Sequence, residues 1–279
     1  MLINVLSVLA LASAVMVTIL TLQDVSIERS TRYMDASSAA AYALGGEASA
    51  VVALRRDARD ASETDHYAEA WTSVADESVQ IDGGMFSLSI EDEQSRFNLN
   101  NLLTDGLGAE ELLRSLLLAM RAQPGLASVI SAYVIRQRGI KSLDDLVAAG
   151  IDPSLVASLA EVACALPSTT DVNINTASEG LLSIMLGNRA AAKLLVAKRE
   201  RQGFLVASDL ASARVLLPAR SGYRSDYYAM AVKVTFGTVT QSLTSHLHRK
   251  RSDDGRIDVK VWRRSKNTAA RLPKPPQQN

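Results

Sequence analysis

The first 23 residues carry no charged side chain, and from Leu2 to Leu22 only Asn4, Ser7, Ser13, Thr18 and Thr21 interrupt an apolar run. Twenty-one residues rising about 1.5 Å each span about 30 Å, the thickness of bilayer hydrocarbon, so 1–23 is expected as a transmembrane helix. A cleaved secretory signal is the rival reading. Ala12-Ser13-Ala14 fits a small-residue cleavage site, but no Lys or Arg precedes the apolar run.

The residues after the span constrain the fold further. No proline occurs before Pro124, and 24–59 is rich in Ala, Arg, Glu and Ser. Ile27, Met34, Ala41, Leu44, Ala48, Val51, Val52 and Leu54 form an apolar stripe at helical spacing. Gly45-Gly46 is the one weak point, at about 1 kcal/mol per glycine relative to alanine. One helix is therefore expected to run from the membrane into a folded head and to bury its stripe on a sheet.

The sheet signals are split. Phe86, Leu88 and Ile90 alternate with Ser87, Ser89 and Glu91 after an Asp82-Gly83-Gly84 turn. The next alternation comes at 228–236 (Met230, Val232, Val234, Phe236), followed by 238–248, an Asp254-Gly255 turn, and Ile257, Val259 and Val261. Links this short make antiparallel pairs. Between the two regions, 109–121, 126–137, 142–149, 153–163, 178–186 and 190–201 predict short helices. Asp152-Pro153 supplies a cap and a first-turn proline, and Thr176-Ala177-Ser178-Glu179 fits a capping box. The expected fold class is α+β: a long N-terminal helix packed on an antiparallel sheet, with a helical domain inserted in the sheet. The expected divisions are 1–23 (membrane helix), 24–100 (helix continuation and first part of the α/β domain), 101–225 (insertion), 226–263 (remaining strands) and 264–279 (flexible basic tail). The insertion holds a faint echo. Arg136-Gln137-Arg138-Gly139 leads to Ser142–Leu146, and Arg199–Phe204 leads to Ser208-Asp209-Leu210, each a basic helix end, a glycine and a new capped helix.

Little chemistry is on offer. Thirty Lys+Arg balance thirty Asp+Glu, which argues against a whole-surface nucleic-acid binder. The single cysteine, Cys164, excludes an internal disulfide; following Val162-Ala163 in an expected apolar helix, it reads as a core thiol. His246 and His248 share a strand face, but two ligands without a third make a poor metal site. Asp57/Asp60 and Asp253-Asp254 read as solvated helix or turn surface. From Arg249 onward ten Lys/Arg against three Asp give net +7, and Pro273, Pro275 and Pro276 suggest a solvated tail. No phosphate loop or zinc-protease signature occurs, so an enzyme is not expected.

Several stretches resemble one family. They are Tyr42-Ala43-Leu44-Gly45-Gly46-Glu47, Ile90-Glu91-Asp92 with Arg96-Phe97-Asn98-Leu99-Asn100, Val172-Asn173-Ile174-Asn175-Thr176-Ala177-Ser178, and Ser225-Asp226-Tyr227-Tyr228 through Ser242-Leu243 to Arg249. In this order they are similar to the minor pseudopilin K subunits of bacterial type II secretion (general secretion pathway protein K). The resemblance implies a type IV pilin-like fold with a helical insertion. It implies a subunit at the tip of a periplasmic pseudopilus, helping to start fibre assembly for export of folded proteins across the outer membrane. The implied partners are I- and J-type minor pseudopilins, the major pseudopilin, the inner-membrane assembly platform and the lipid bilayer, with no nucleic acid. The bulk of the chain would lie in the periplasm, held by a single inner-membrane span. The implied assembly residues are Leu2, Asn4, Val5, Leu9, Val15, Ile19 and Leu22. Asn4 stands where most pseudopilins carry a glutamate that pairs with a neighbour's N-terminal amine. A capping subunit has no neighbour to answer that acid, and a buried unpaired carboxylate is costly.

Two departures qualify the resemblance, and one segment admits another reading. The chain begins about where the mature family helix begins, so no prepilin leader is seen. The Asp-rich, Trp-containing loop that carries the family's calcium is missing, because Tyr133–Arg136 passes almost directly to Gly139–Ser142; calcium wants six to eight oxygens, so no cofactor is expected. The segment around Asn173–Ala177 and its two helices also resembles helix-hairpin-helix modules that grip DNA phosphates. Its turn reads Leu186-Gly187-Asn188-Arg189, with Arg189 where a second glycine would stand. A pilus or competence minor pilin with a DNA-binding hairpin is the alternative reading.

Overall fold

The apolar N-terminus and the alanine-rich stretch after it form one uninterrupted helix, α1 (Leu2–Asp60). The structure is a computed structural model that describes residues 2–60, 63–74, 76–252 and 254–266. The hydroxyls of Ser7, Ser13, Thr18 and Thr21 each donate to the carbonyl four residues back, at 2.9 Å, so the polar interruptions are satisfied within the helix.

After α1 the chain forms β1 (Asp76–Ile81) and β2 (Gly84–Asp92), then leaves the sheet. It continues as β3 (Phe97–Asn98), α2 (Gly106–Ala119), α3 (Leu126–Gln137), α4 (Pro153–Leu159) and β4 (Ala163–Cys164). A second helical stretch holds β5 (Val172–Asn173), α5 (Glu179–Leu186), α6 (Arg189–Gln202), α7 (Ala207–Ser212) and β6 (Ser221–Gly222). The chain closes with β7 (Tyr227–Phe236), β8 (Val239–Arg251) and β9 (Ile257–Lys266). The main sheet runs β1-β2-β7-β8-β9, antiparallel throughout. β2 and β7 pair from Gly84↔Phe236 to Asp92↔Tyr228, so strands on either side of the whole insertion are direct neighbours.

Sheet and insertion have separate cores. Leu88, Ile90, Tyr228, Met230, Val232, Val234, Leu243 and Leu247 bury one sheet face against α1 and Trp71. The insertion packs around Leu113, Leu117, Ile130, Leu146, Leu181 and Leu195. A small cluster of Cys164, Leu166 and Tyr227, with Trp262 against it, joins them.

The insertion is a doubled motif, which the echo in the sequence only hinted at. In the first unit Asn98 Oδ1 accepts the Asn100 N–H at 3.0 Å, and the Asn100 amide clasps both N and O of Ile140 at 2.9 Å. In the second, Asn173 Oδ1 accepts the Asn175 N–H at 2.9 Å, and Asn175 clasps N and O of Leu205 at 2.7 and 3.3 Å. Ser142 with Asp145, and Asp209 on the Val206 N–H, start the short helices beyond each clasp. Each unit opens and closes on a two-residue parallel pair, β3 with β4 and β5 with β6.

Several expectations need correcting. The helix expected over 153–163 stops at Leu159, and Cys164 lies on β4, buried, where desolvation pushes its thiol up to about 12. Thr176 does not open α5; Ser178 caps it, because the Thr176 hydroxyl is held by Asp92 at 2.6 Å. β1 lacks apolar alternation and was not expected; it hydrogen-bonds along β2 through the Asp82–Gly84 turn. β9 continues to Lys266, so Arg264 and Ser265 belong to the sheet, and Arg249 is fully buried. Asp253 and 267–279, the rest of the expected tail, lie outside the described residues.

Candidate assembly surface

The helical stripe is real but faces the other way. Ile27, Met34, Ala41, Leu44, Ala48 and Val52 are exposed, Val51 is half-buried, and only Leu54 enters the core. The face laid on the sheet is Ala39, Ala43, Gly46, Glu47, Ala50, Leu54, Asp57 and Ala58. The reason is clearance: small residues let the helix backbone approach the strands. A Cβ on Gly46 would meet Val232 Cγ2 at 2.9 Å and the Phe86 ring at 3.0 Å, whereas one on Gly45 meets nothing within 4 Å. The apolar stripe is thus left on the outer side of α1. Below it, Leu2, Asn4, Val5, Leu9, Val15, Ile19 and Leu22 are exposed all round. α1 is the one helix among the described residues long and apolar enough to cross a membrane, and no other described residue covers that part of it. Outer stripe and bare rod make a continuous apolar surface awaiting neighbours or lipid.

Ionic contacts fix the rod to the head, one half-exposed and one buried. Glu47 accepts from Arg264 Nε at 2.8 Å and Nη2 at 2.5 Å, and from the Ser245 hydroxyl at 2.5 Å. The Arg264 hydrogen bonds hold its carboxyl below the ordinary range. One turn before the end of α1, Asp57 accepts from Arg249 Nη1 at 3.1 Å. Arg249 Nη2 donates to Asp65 and, at 2.7 Å, to the Ser225 carbonyl, and the guanidinium lies 4.9 Å from the Tyr228 ring centre. Asp57 is therefore structural, not the solvated residue the sequence suggested; Asp60 is exposed beside Arg56, and Asp254 is exposed beside Arg256. Burial pushes the Asp57 carboxyl up to about 6. Asp57, Asp65 and Glu69 offer oxygens within 4.8 Å of one another, but Arg249 already supplies positive charge there.

Asp92 is the second joint. It is fully buried and accepts from Ser225 Oγ and Thr176 Oγ1 at 2.6 Å, Asn173 Nδ2 at 3.0 Å and Gln94 N at 2.8 Å. These donors connect β2, the second helical unit and the start of β7. Burial pushes its carboxyl up to about 6 against the pull of the Ser225 and Thr176 hydroxyls.

The motif residues do not converge on one site. Tyr42 stacks on Phe236 with ring centres 5.9 Å apart, and Gly46 and Glu47 meet the sheet. Arg96 lies 3.7 Å from Glu91 and donates to the Ala160 carbonyl at 3.3 Å, while Phe97 is fully buried. Asn98, Asn100, Asn173 and Asn175 build the two clasps, and Thr176 serves the Asp92 joint. Sequence reasoning gave no structural role to Asp57, Asp65, Asp92, Glu93 and Arg249, although Asp92 and Arg249 stand in the stretches that carry the resemblance. His246 is held by Glu93 and Arg263, and His248 stacks on Tyr227 at 4.5 Å, so the pair does not converge on a metal. In the α5–α6 turn, Asn188 caps α6 through the Ala191 N–H at 3.0 Å, and Arg199 points inward to the Ile174 and Ala177 carbonyls at 2.8 Å. Those two side chains serve the hairpin's own fold.

No family model matches the chain. It is 28% identical to type II secretion system protein K of Pseudomonas aeruginosa, over 92% of this chain and 90% of that one. Its fold matches a chain in the crystal structure of the GspK-GspI-GspJ complex of the enterotoxigenic Escherichia coli type 2 secretion system. That match has a TM-score of 0.64 and 17% identity, and covers 86% of this chain and all of the other. The rod-on-sheet fold with its helical insertion, and likeness along nine-tenths of both sequences, make this chain similar to type II secretion system protein K.

Proposed function

We propose that this subunit caps a periplasmic pseudopilus and helps start its assembly, anchored in the inner membrane by the first part of α1. The observation that carries this reading is the outward apolar stripe continuous with a bare membrane-length rod. A helix whose inner face is already satisfied by the sheet keeps its outer face for bundling with other pseudopilin helices. The likeness to a protein solved together with GspI and GspJ supports I- and J-type subunits as the neighbours. Asn4 fits the end position, since no acid there waits for a neighbour's amine. The work is association rather than reaction. The test is co-purification of the full chain in detergent with the I- and J-type pseudopilins of its own system. A stable three-part complex is expected, weakened when Leu44 and Val52 are both changed to Asp; failure of the unaltered chain to form it removes the tip assignment. No cofactor enters this role, so millimolar calcium should leave the melting temperature of the full chain unchanged; a clear rise would show a metal site.

A further inference from the structure

On the sheet face opposite α1, β9 is clasped to the insertion through one histidine. Arg263 Nη1 donates to the Lys141 carbonyl, in the link between α3 and the Ser142-capped turn, at 2.8 Å. Arg263 Nη2 lies 2.9 Å from His246 Nε2, and the guanidinium sits 4.9 Å from the Trp262 ring centre. His246 Nδ1 is 3.0 Å from both Glu93 oxygens. A guanidinium only donates, so His246 Nε2 must present its lone pair, and Nδ1 must carry the proton given to Glu93. The imidazole is therefore neutral when the clasp is closed.

We infer that His246 is a proton-operated latch between the sheet and the first helical unit: its neutral ring holds Arg263 on the Lys141 carbonyl, and a second proton releases it. Protonation would set an N–H against the Arg263 N–H groups, replacing a hydrogen bond by two cations in contact. The groups facing the ring are Glu93 before β3, Glu91 of β2 two strands across, Arg96 beside Glu91, and Arg263 with Trp262 of β9. Glu93 accepts from the ring in either protonation state, so the pair that loses on protonation is His246–Arg263, and Arg263 stands on the edge strand.

The test uses hydrogen exchange of the full chain in detergent at about pH 7.5 and about pH 5.5, corrected for intrinsic exchange rates. Amides of 139–146 should lose protection about tenfold at the lower pH, the factor a charge-assisted hydrogen bond carries. His246→Gln should remove that loss, because a glutamine amide accepts from Arg263 and donates to Glu93 without titrating. Nitrogen NMR of the labelled histidine rings provides a check that needs no substitution: Nε2 of His246 should be unprotonated at the higher pH. A protonated Nε2 there, equal protection at both pH values, or a glutamine variant that still opens would each overturn the latch.

Discussion

Replacing Arg249 by methionine lowers the stability of the folded head by about 3–5 kcal/mol, the usual cost of removing one partner from a buried ion pair. The cause is what remains. Asp57 and Asp65 stay buried without their shared guanidinium, the Ser225 carbonyl loses its donor, and Tyr228 loses the cation over its ring. Denaturant unfolding followed by the fluorescence of Trp71, which is fully buried in the same core, measures it. The pH dependence gives a second signature. Asp57 already titrates at about 6 in the intact protein, above its ordinary 3.8, so its contribution to stability is complete below 3.8 and is lost as pH rises through 6. With Arg249 gone its carboxyl rises further, and acidification to pH 5.5 restores part of the lost stability. An unaltered denaturation midpoint in the methionine variant would mean that the joint between α1, the Asp65 loop and β8 is not what holds the head together.

The second large effect separates two adjacent glycines. Gly46→Leu costs about 3 kcal/mol, at the upper end of overpacking penalties, because the new side chain enters the contact of α1 with Val232 and Phe86. Gly45→Ala stabilises by about 1 kcal/mol, the helix-propensity difference, because nothing lies within 4 Å of the added carbon. Thermal unfolding of the two variants beside the parent should move the midpoint in opposite directions. Shifts of the same sign would show that the helix does not sit on the strands by that face. The Gly46 variant should also lose the Glu47–Arg264 contact, since a helix lifted from β7 and β8 carries Glu47 away from Ser245.

The two effects show why an apolar stripe on α1 was a poor guide to what the helix buries. Depth on a sheet rewards small side chains, so Ala39, Ala43, Gly46 and Ala50 form the inner face, and the larger Leu44 and Val52 are left outside. Two acids lie on that inner face as well, each held by an arginine from β8 or β9. Nothing local in 47–57 announces this, because the compensating residues are about 190 to 220 positions away in the chain.

The sequence by itself determined the membrane-length rod, its continuation into the head, the positions of β2, β7 and β8, and most helices of the insertion. Those features arise from periodicity, caps and glycine turns, which act over a few residues. Only the tertiary structure decided which side of α1 meets the sheet, that Cys164 lies on a strand and that Arg249 is interior, and that the Asn-x-Asn segments at 98–100 and 173–175 serve as matching clasps. Each depends on long-range partners for buried polar groups, and a buried donor or acceptor is satisfied by whatever the fold brings near it rather than by its neighbours in the chain.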